Sequence, residues 1–184
     1  MGVAGRRRLP RQGAARQKGG AGEPEATGAN PTDRGKCGSK RRLLTDGRGV
    51  PPALVLSGAN RTDMKKLGDL LGARLVDAPA EGELHLCLDR GYDYDECRET
   101  AAARGYTPHL PPKASEARPV PPPGDPARHP PRRWVAEAGH SWFNRFRRLL
   151  IRWAKKAGHY LAFAHLAACL IIYRKVRHAR PLSG

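Results

Sequence analysis

The sequence predicts an α/β domain, on three observations. Residues 41–56 hold two extended segments around Asp46-Gly47-Arg48-Gly49; residues 60–71 have helical spacing; residues 84–110 read strand, loop, helix, strand. With 184 residues the chain has room for one compact domain, or a fragment of a larger one, and not for a two-domain enzyme.

The elements follow in order. Residues 1–30 are mostly Gly, Ala and Arg, so no strand with a face to bury is expected, and 1–29 read as a disordered basic segment. Arg41-Arg42-Leu43-Leu44-Thr45 runs into the Gly-containing turn and then Val50 to Leu56, which predicts a hairpin. Pro51 and Pro52 make its second strand an edge, or one that begins only after Pro52. Met64, Leu67, Leu70 and Leu71 are three and four apart, so Asn60 to Leu71 reads as an amphipathic helix with Thr62 or Asn60 as its cap.

Leu84 to Leu88 is a short apolar run ending in Asp89. A helix from Asp93 to about Arg104 is stopped by Gly105, and Tyr106 to Leu110 is a further strand. Nine of the 17 prolines lie between Pro111 and Pro131, an extended linker or exposed loop over 111–132. Residues 133–156 read as one helix: Trp142, Phe146, Leu149 and Trp153 form a packing stripe, and Glu137, Ser141, Asn144, Arg148 and Arg152 share the opposite face. Tyr160 to Tyr173 is the most apolar run. It is shorter than the roughly 20 residues that span a bilayer, so a helix buried on nearly every face is expected, and no membrane anchor.

The formal charge of +17 points to a polyanionic partner, nucleic acid first. It is unevenly spread: +8 over residues 1–42, −3 over 43–125 and +12 over 126–184. The four cysteines form no CxxC pair and have no zinc spacing, and no signal peptide is visible; reduced cytosolic thiols are expected. There is no GxGxxG, P-loop or recognisable nucleophile motif.

Two carboxylates stand out. Asp89 sits just past a buried strand, where α/β sheets bind ligands, with a turn-forming role before Gly91 as the alternative. Glu137 is the only acid from Pro126 onward and keeps company with arginines; an ion pair to Arg133 or Arg145 is the alternative. Asp93, Asp95, Glu96 and Glu99 read as acids complementing a helix N-terminus, while Asp46, Asp63, Asp69 and Asp77 read as turn, cap and helix-surface residues. Two separated carboxylates reaching one site would suit Mg²⁺ or Mn²⁺, which prefer oxygen ligands. The run Trp142 to Arg148 interleaves aromatic and basic residues, which suits phosphate contact from one side and packing from the other.

Taken together, five stretches resemble the DDE transposases of bacterial insertion elements, in the insertion-sequence-five group. They are Asn30-Pro31-Thr32-Asp33-Arg34-Gly35-Lys36; Leu43 to Pro51; Leu56 to Met64; Cys87-Leu88-Asp89-Arg90-Gly91-Tyr92-Asp93; and Trp134 to Glu137 with His140 to Leu149. Their order matches the family, from about Asn30 to Arg174. The resemblance implies an RNase H-like fold over 30–110 and 133–184, with three acids that bind two divalent metals, Mg²⁺ or Mn²⁺, for DNA cleavage and strand transfer at the element's ends. It implies that Asp89 is the second catalytic aspartate and Glu137 the catalytic glutamate, both metal ligands. It implies DNA contacts from Asn144, Arg145, Arg147, Arg148, Arg152, Lys155 and Lys156, a homodimer during transposition, and a cytoplasmic, nucleoid-associated location.

The chain departs from that pattern in places. No Asp precedes Asp33, Glu23 and Glu25 lie in a segment without strand character, and Ala154 stands where the family more often has an acid. The expectation is an incomplete RNase H-like domain whose first catalytic strand is missing through truncation or a frame shift, and hence a transposase fragment inactive as translated. The competing reading is a non-catalytic nucleic-acid-binding protein derived from a transposase.

Overall fold

The computed structural model describes residues 2–9, 26–30, 37–77, 82–111 and 132–179. Its centre is a mixed sheet built from β1 (Gly2–Leu9), β3 (Cys37–Asp46), β4 (Ala53–Gly58), β5 (Leu84–Cys87) and β6 (Tyr106–His109), in the spatial order β4-β3-β1-β5-β6. A two-residue strand, β2 (Gly28–Ala29), pairs with the start of β3. The β3 strand runs antiparallel to both β1 and β4, whereas β1, β5 and β6 run parallel.

Gly2–Leu9 is therefore the middle strand, which corrects the expectation that residues 1–29 carry no structure and that the first strand is missing. The correction has a backbone cause. All eight residues pair with β3, from Gly2 opposite Asp46 to Leu9 opposite Ser39, and Gly2 and Val3 pair with Leu86 and Cys87 on the other side. A ladder filled along one edge, with Gly2 and Val3 paired on the other, engages backbone N–H and C=O groups whatever the side chains, so composition gave no warning. The rest of the predicted disordered segment, residues 10–25, the motif residues 31–36 and the proline-rich 112–131 lie outside the described residues.

Period-two alternation sorts the strands between two helical layers. Leu44 and Leu86 face α1 (Leu67–Gly72) and α2 (Asp95–Ala102), in a core with Leu67, Leu70, Tyr92, Cys97 and Ala101. Leu43, on the opposite face, joins Phe143, Leu149, Tyr160, Ala164 and Ile171 under α3 (Arg133–Asn144), α4 (Arg147–Leu150) and α5 (Ala157–Ala179). The hairpin of β3 and β4 is as predicted. Asp46 holds its turn by accepting from Arg48 N–H at 2.9 Å and Val50 N–H at 2.7 Å, and Gly49 takes the left-handed φ of 78° that a side chain resists. The β4 strand starts after Pro52 and lies at the sheet edge.

Three helix expectations need correction. The helix over Asn60–Leu71 forms only from Met64 onward, first as a 3₁₀ turn (Met64–Lys66) and then as α1; neither Asn60 nor Thr62 caps it. Carbonyls of Arg61 and Thr62 are taken by Lys40 and Arg42, which hold this segment out of the helix. The helix over 133–156 breaks after Asn144: Phe146 is extended (φ −87°, ψ 107°), α4 is one turn, and Ile151 is extended again. The break exposes Trp153, which a continuous helix would have packed. Finally, α5 is buried on one face only. Ala157, Tyr160, Ala164, Ala167, Ala168 and Ile171 meet the sheet, small residues that allow close approach, while Phe163, Leu166, Leu170 and Tyr173 point away.

Candidate carboxylate and nucleic-acid site

Asp89 follows β5 directly. Its backbone stays extended (φ −74°, ψ 157°) and its carbonyl accepts from Tyr92 N–H at 2.9 Å, so the strand hands over to the 3₁₀ turn Arg90–Tyr92 at this residue. Its side chain is half-buried. Two residues upstream, Cys87 packs against Val135 and Ala136 of α3. Residues 87 and 89 share a strand face, so Asp89 lies on the α3 side of the sheet. Glu137 stands on α3 two residues past Val135, exposed, beside a buried stripe of Val135, Ala136, Gly139, His140 and Phe143. Gly139 is where α3 crosses β3: a Cβ there would come within 2.8 Å of Leu43 Cδ2 and 3.2 Å of Thr45 Cγ2.

A pair of divalent ions would need a convergent set of oxygen donors. Asp89 lies just past the end of β5 and Glu137 stands on α3 two residues past Val135, and among the described residues no group of three or more His, Cys, Asp or Glu converges as metal ligands. The β1 strand, lying between β3 and β5, has the sequence GVAGRRRL and contributes no carboxylate at all. Mg²⁺ needs near-octahedral oxygen coordination, and two carboxylates do not supply a two-ion centre. The described residues do not fit the pair of metals.

Of the cations expected at DNA, Arg145, Arg147, Arg148, Lys155 and Lys156 are exposed. The Arg148 guanidinium lies 5.1 Å from the centre of the Phe163 ring, which orients it without consuming its donors. Arg152 is a correction: it is 3% exposed and its donors go to Ser39 Oγ and to the carbonyls of Ala26, Ala154 and Lys155. Its hydrogen-bonding capacity is spent inside the protein. Asn144 is half-buried and accepts from Arg41 Nη2 at 3.3 Å, so it braces α3 on β3.

A second set of cations was not expected inside. Lys40, Arg41 and Arg42 are all buried on β3. Lys40 and Arg42 share buried Asp63 at 3.3 and 3.0 Å, so Asp63 is an interior counter-ion rather than a cap. Arg41, on the other face, donates to Tyr160 Oη at 3.4 Å and stacks 4.9 Å from the Phe143 ring centre. Burial raises the Tyr160 hydroxyl pKa, opposed by that guanidinium. Burial likewise raises the Cys87 thiol, partly offset by Arg132. Alternating Lys and Arg in a strand carry no sequence sign of burial, because their partners lie far along the chain.

The family pattern described as the transposase DDE domain matches residues 8–172. A Burkholderia cepacia relative, named for the transposase of insertion sequence element IS402, is 36% identical over 163 residues, which cover 86% of this chain and 73% of the relative. No solved structure matches.

Proposed function

The chain belongs to the DDE transposase family, and from that premise we propose that it binds the DNA ends of an insertion element without cutting them. The observation that carries this reading is β1: the strand beside Asp89's own strand holds no acid, so a third metal ligand is lacking among the described residues. The strand order and directions, with two antiparallel neighbours on one side and parallel ones on the other, support an RNase H-like domain. In that reading Asp89 and Glu137 are the surviving carboxylates, and the metal the family uses, Mg²⁺ or Mn²⁺, has too few ligands to be held in pairs.

DNA binding rests on the basic edge beyond α3. Arg145, Arg147, Arg148, Lys155 and Lys156 are exposed on the short segment from the end of α3 to the start of α5, and no acid follows Glu137. Each phosphate neutralised adds about 0.9 to the slope of log affinity against log salt on duplex DNA. Replacing Arg145, Arg147 and Arg148 together with Gln should lower that slope by about 3 in fluorescence-anisotropy titrations. An unchanged slope would remove this edge from the interface. Two copies of the chain at paired element ends, as in a homodimer, fit the same proposal.

A further inference from the structure

On the α3 face of the sheet, near its β6 edge, two histidines meet. The parallel register sets His85 opposite Thr107 and Cys87 opposite His109, so the rings stand diagonally across β5 and β6. Nδ1 of His85 lies 3.0 Å from Nε2 of His109, the ring centres are 5.1 Å apart, and both side chains are half-buried and reachable from solvent. Glu83 stands two residues before His85, with Oε2 at 3.6 Å from the other ring nitrogen, Nε2.

We infer that this pair is a two-imidazole site for a divalent first-row transition-metal ion, with Cu²⁺ and Ni²⁺ as its probes, completed by water. Imidazole nitrogens bind such ions at about 2.0–2.1 Å, so two ring nitrogens 3.0 Å apart are within reach of one ion. Imidazole ligands suit these metals and not Mg²⁺.

The proton count closes without an added base. In the metal-free pair one of the facing nitrogens carries the shared proton. When the metal enters, each neutral ring adopts the tautomer with its lone pair inward: His85 holds its proton on Nε2, toward Glu83, and His109 holds its own on Nδ1. A carboxylate behind a ligating histidine is the usual device for fixing such a tautomer. The site uses neither Asp89 nor Glu137 and stands apart from the incomplete carboxylate centre.

The test is a calorimetric titration of the full chain with Ni²⁺, together with electron paramagnetic resonance of Cu²⁺ added after the exposed thiols of Cys37 and Cys169 are alkylated. The wild type should take up one more equivalent of Ni²⁺ than His85→Gln or His109→Gln, and His165→Gln, on the exposed side of α5, should match the wild type. Sub-stoichiometric Cu²⁺ should show hyperfine splitting from two imidazole nitrogens in the wild type, a readout that does not depend on a variant's folding. Equal stoichiometry in wild type and His109→Gln, or a wild-type spectrum with fewer than two imidazole nitrogens, would overturn the assignment.

Discussion

Cys87 of β5 packs against Val135 of α3, with Ala136 beside it, and the two candidate carboxylates each lie two residues farther along, Asp89 on the strand and Glu137 on the helix. The acids are 48 positions apart in sequence and follow, on the strand side and on the helix side, the residues that meet at this contact. The strand beside β5 is β1, whose Val3 pairs with Cys87.

The α3–β3 crossing is sensitive to volume. Gly139→Ala gains about 1 kcal/mol of helix propensity, but its Cβ would stand 2.8 Å from Leu43 Cδ2, and Leu43 is fully buried. Overpacking of this kind costs about 1–3 kcal/mol, so after the propensity gain a net destabilisation of up to about 2 kcal/mol is expected in urea unfolding. A stabilised variant would show that α3 is free to shift.

Asp63→Ala removes the shared counter-ion of Lys40 and Arg42. Breaking a buried ion pair from one side typically costs about 3–5 kcal/mol because the remaining charge stays desolvated. A loss near 3 kcal/mol in the same unfolding assay is the expected outcome, and a loss under about 1 kcal/mol, the scale of a surface pair, would mean that Asp63 is not the main counter-charge.

Thiol chemistry reports the burial of β5 and α2. Cys37 and Cys169 are exposed, whereas burial raises the thiol pKa of Cys87 and Cys97 above 9.0, with Glu96 adding to the rise at Cys97. Because the thiolate is the reactive form, a thiol reagent at pH 8 should label two cysteines quickly and two slowly. The slow pair should quicken as pH rises through their folded pKa or when the chain unfolds; four fast thiols would show that both α2 and α3 open readily from the sheet.

Much of the architecture was legible in the sequence, and the gaps have physical causes. Asp46 to Gly49 announces its hairpin because both the side-chain acceptor and the left-handed glycine are local features. The Asp89 position was legible because an apolar strand ending in an acid is also local. β1 was hidden because pairing on both edges is a backbone property. The break at Phe146 was hidden because a helical wheel presumes a continuous helix, while interior partners of Arg152 such as Ala26 and Ser39 lie more than a hundred residues away. The same distance in sequence concealed Lys40 to Arg42 as interior residues, and parallel register concealed the meeting of His85 with His109.

The most direct test of the central claim uses the purified full chain on labelled DNA carrying an insertion-element end, with and without Mg²⁺ or Mn²⁺, read in parallel by anisotropy and by a denaturing gel. The account predicts salt-dependent binding with no metal-dependent nicking or strand transfer, in the wild type and in Asp89→Asn alike. Metal-dependent cleavage by the wild type that Asp89→Asn abolishes would contradict it.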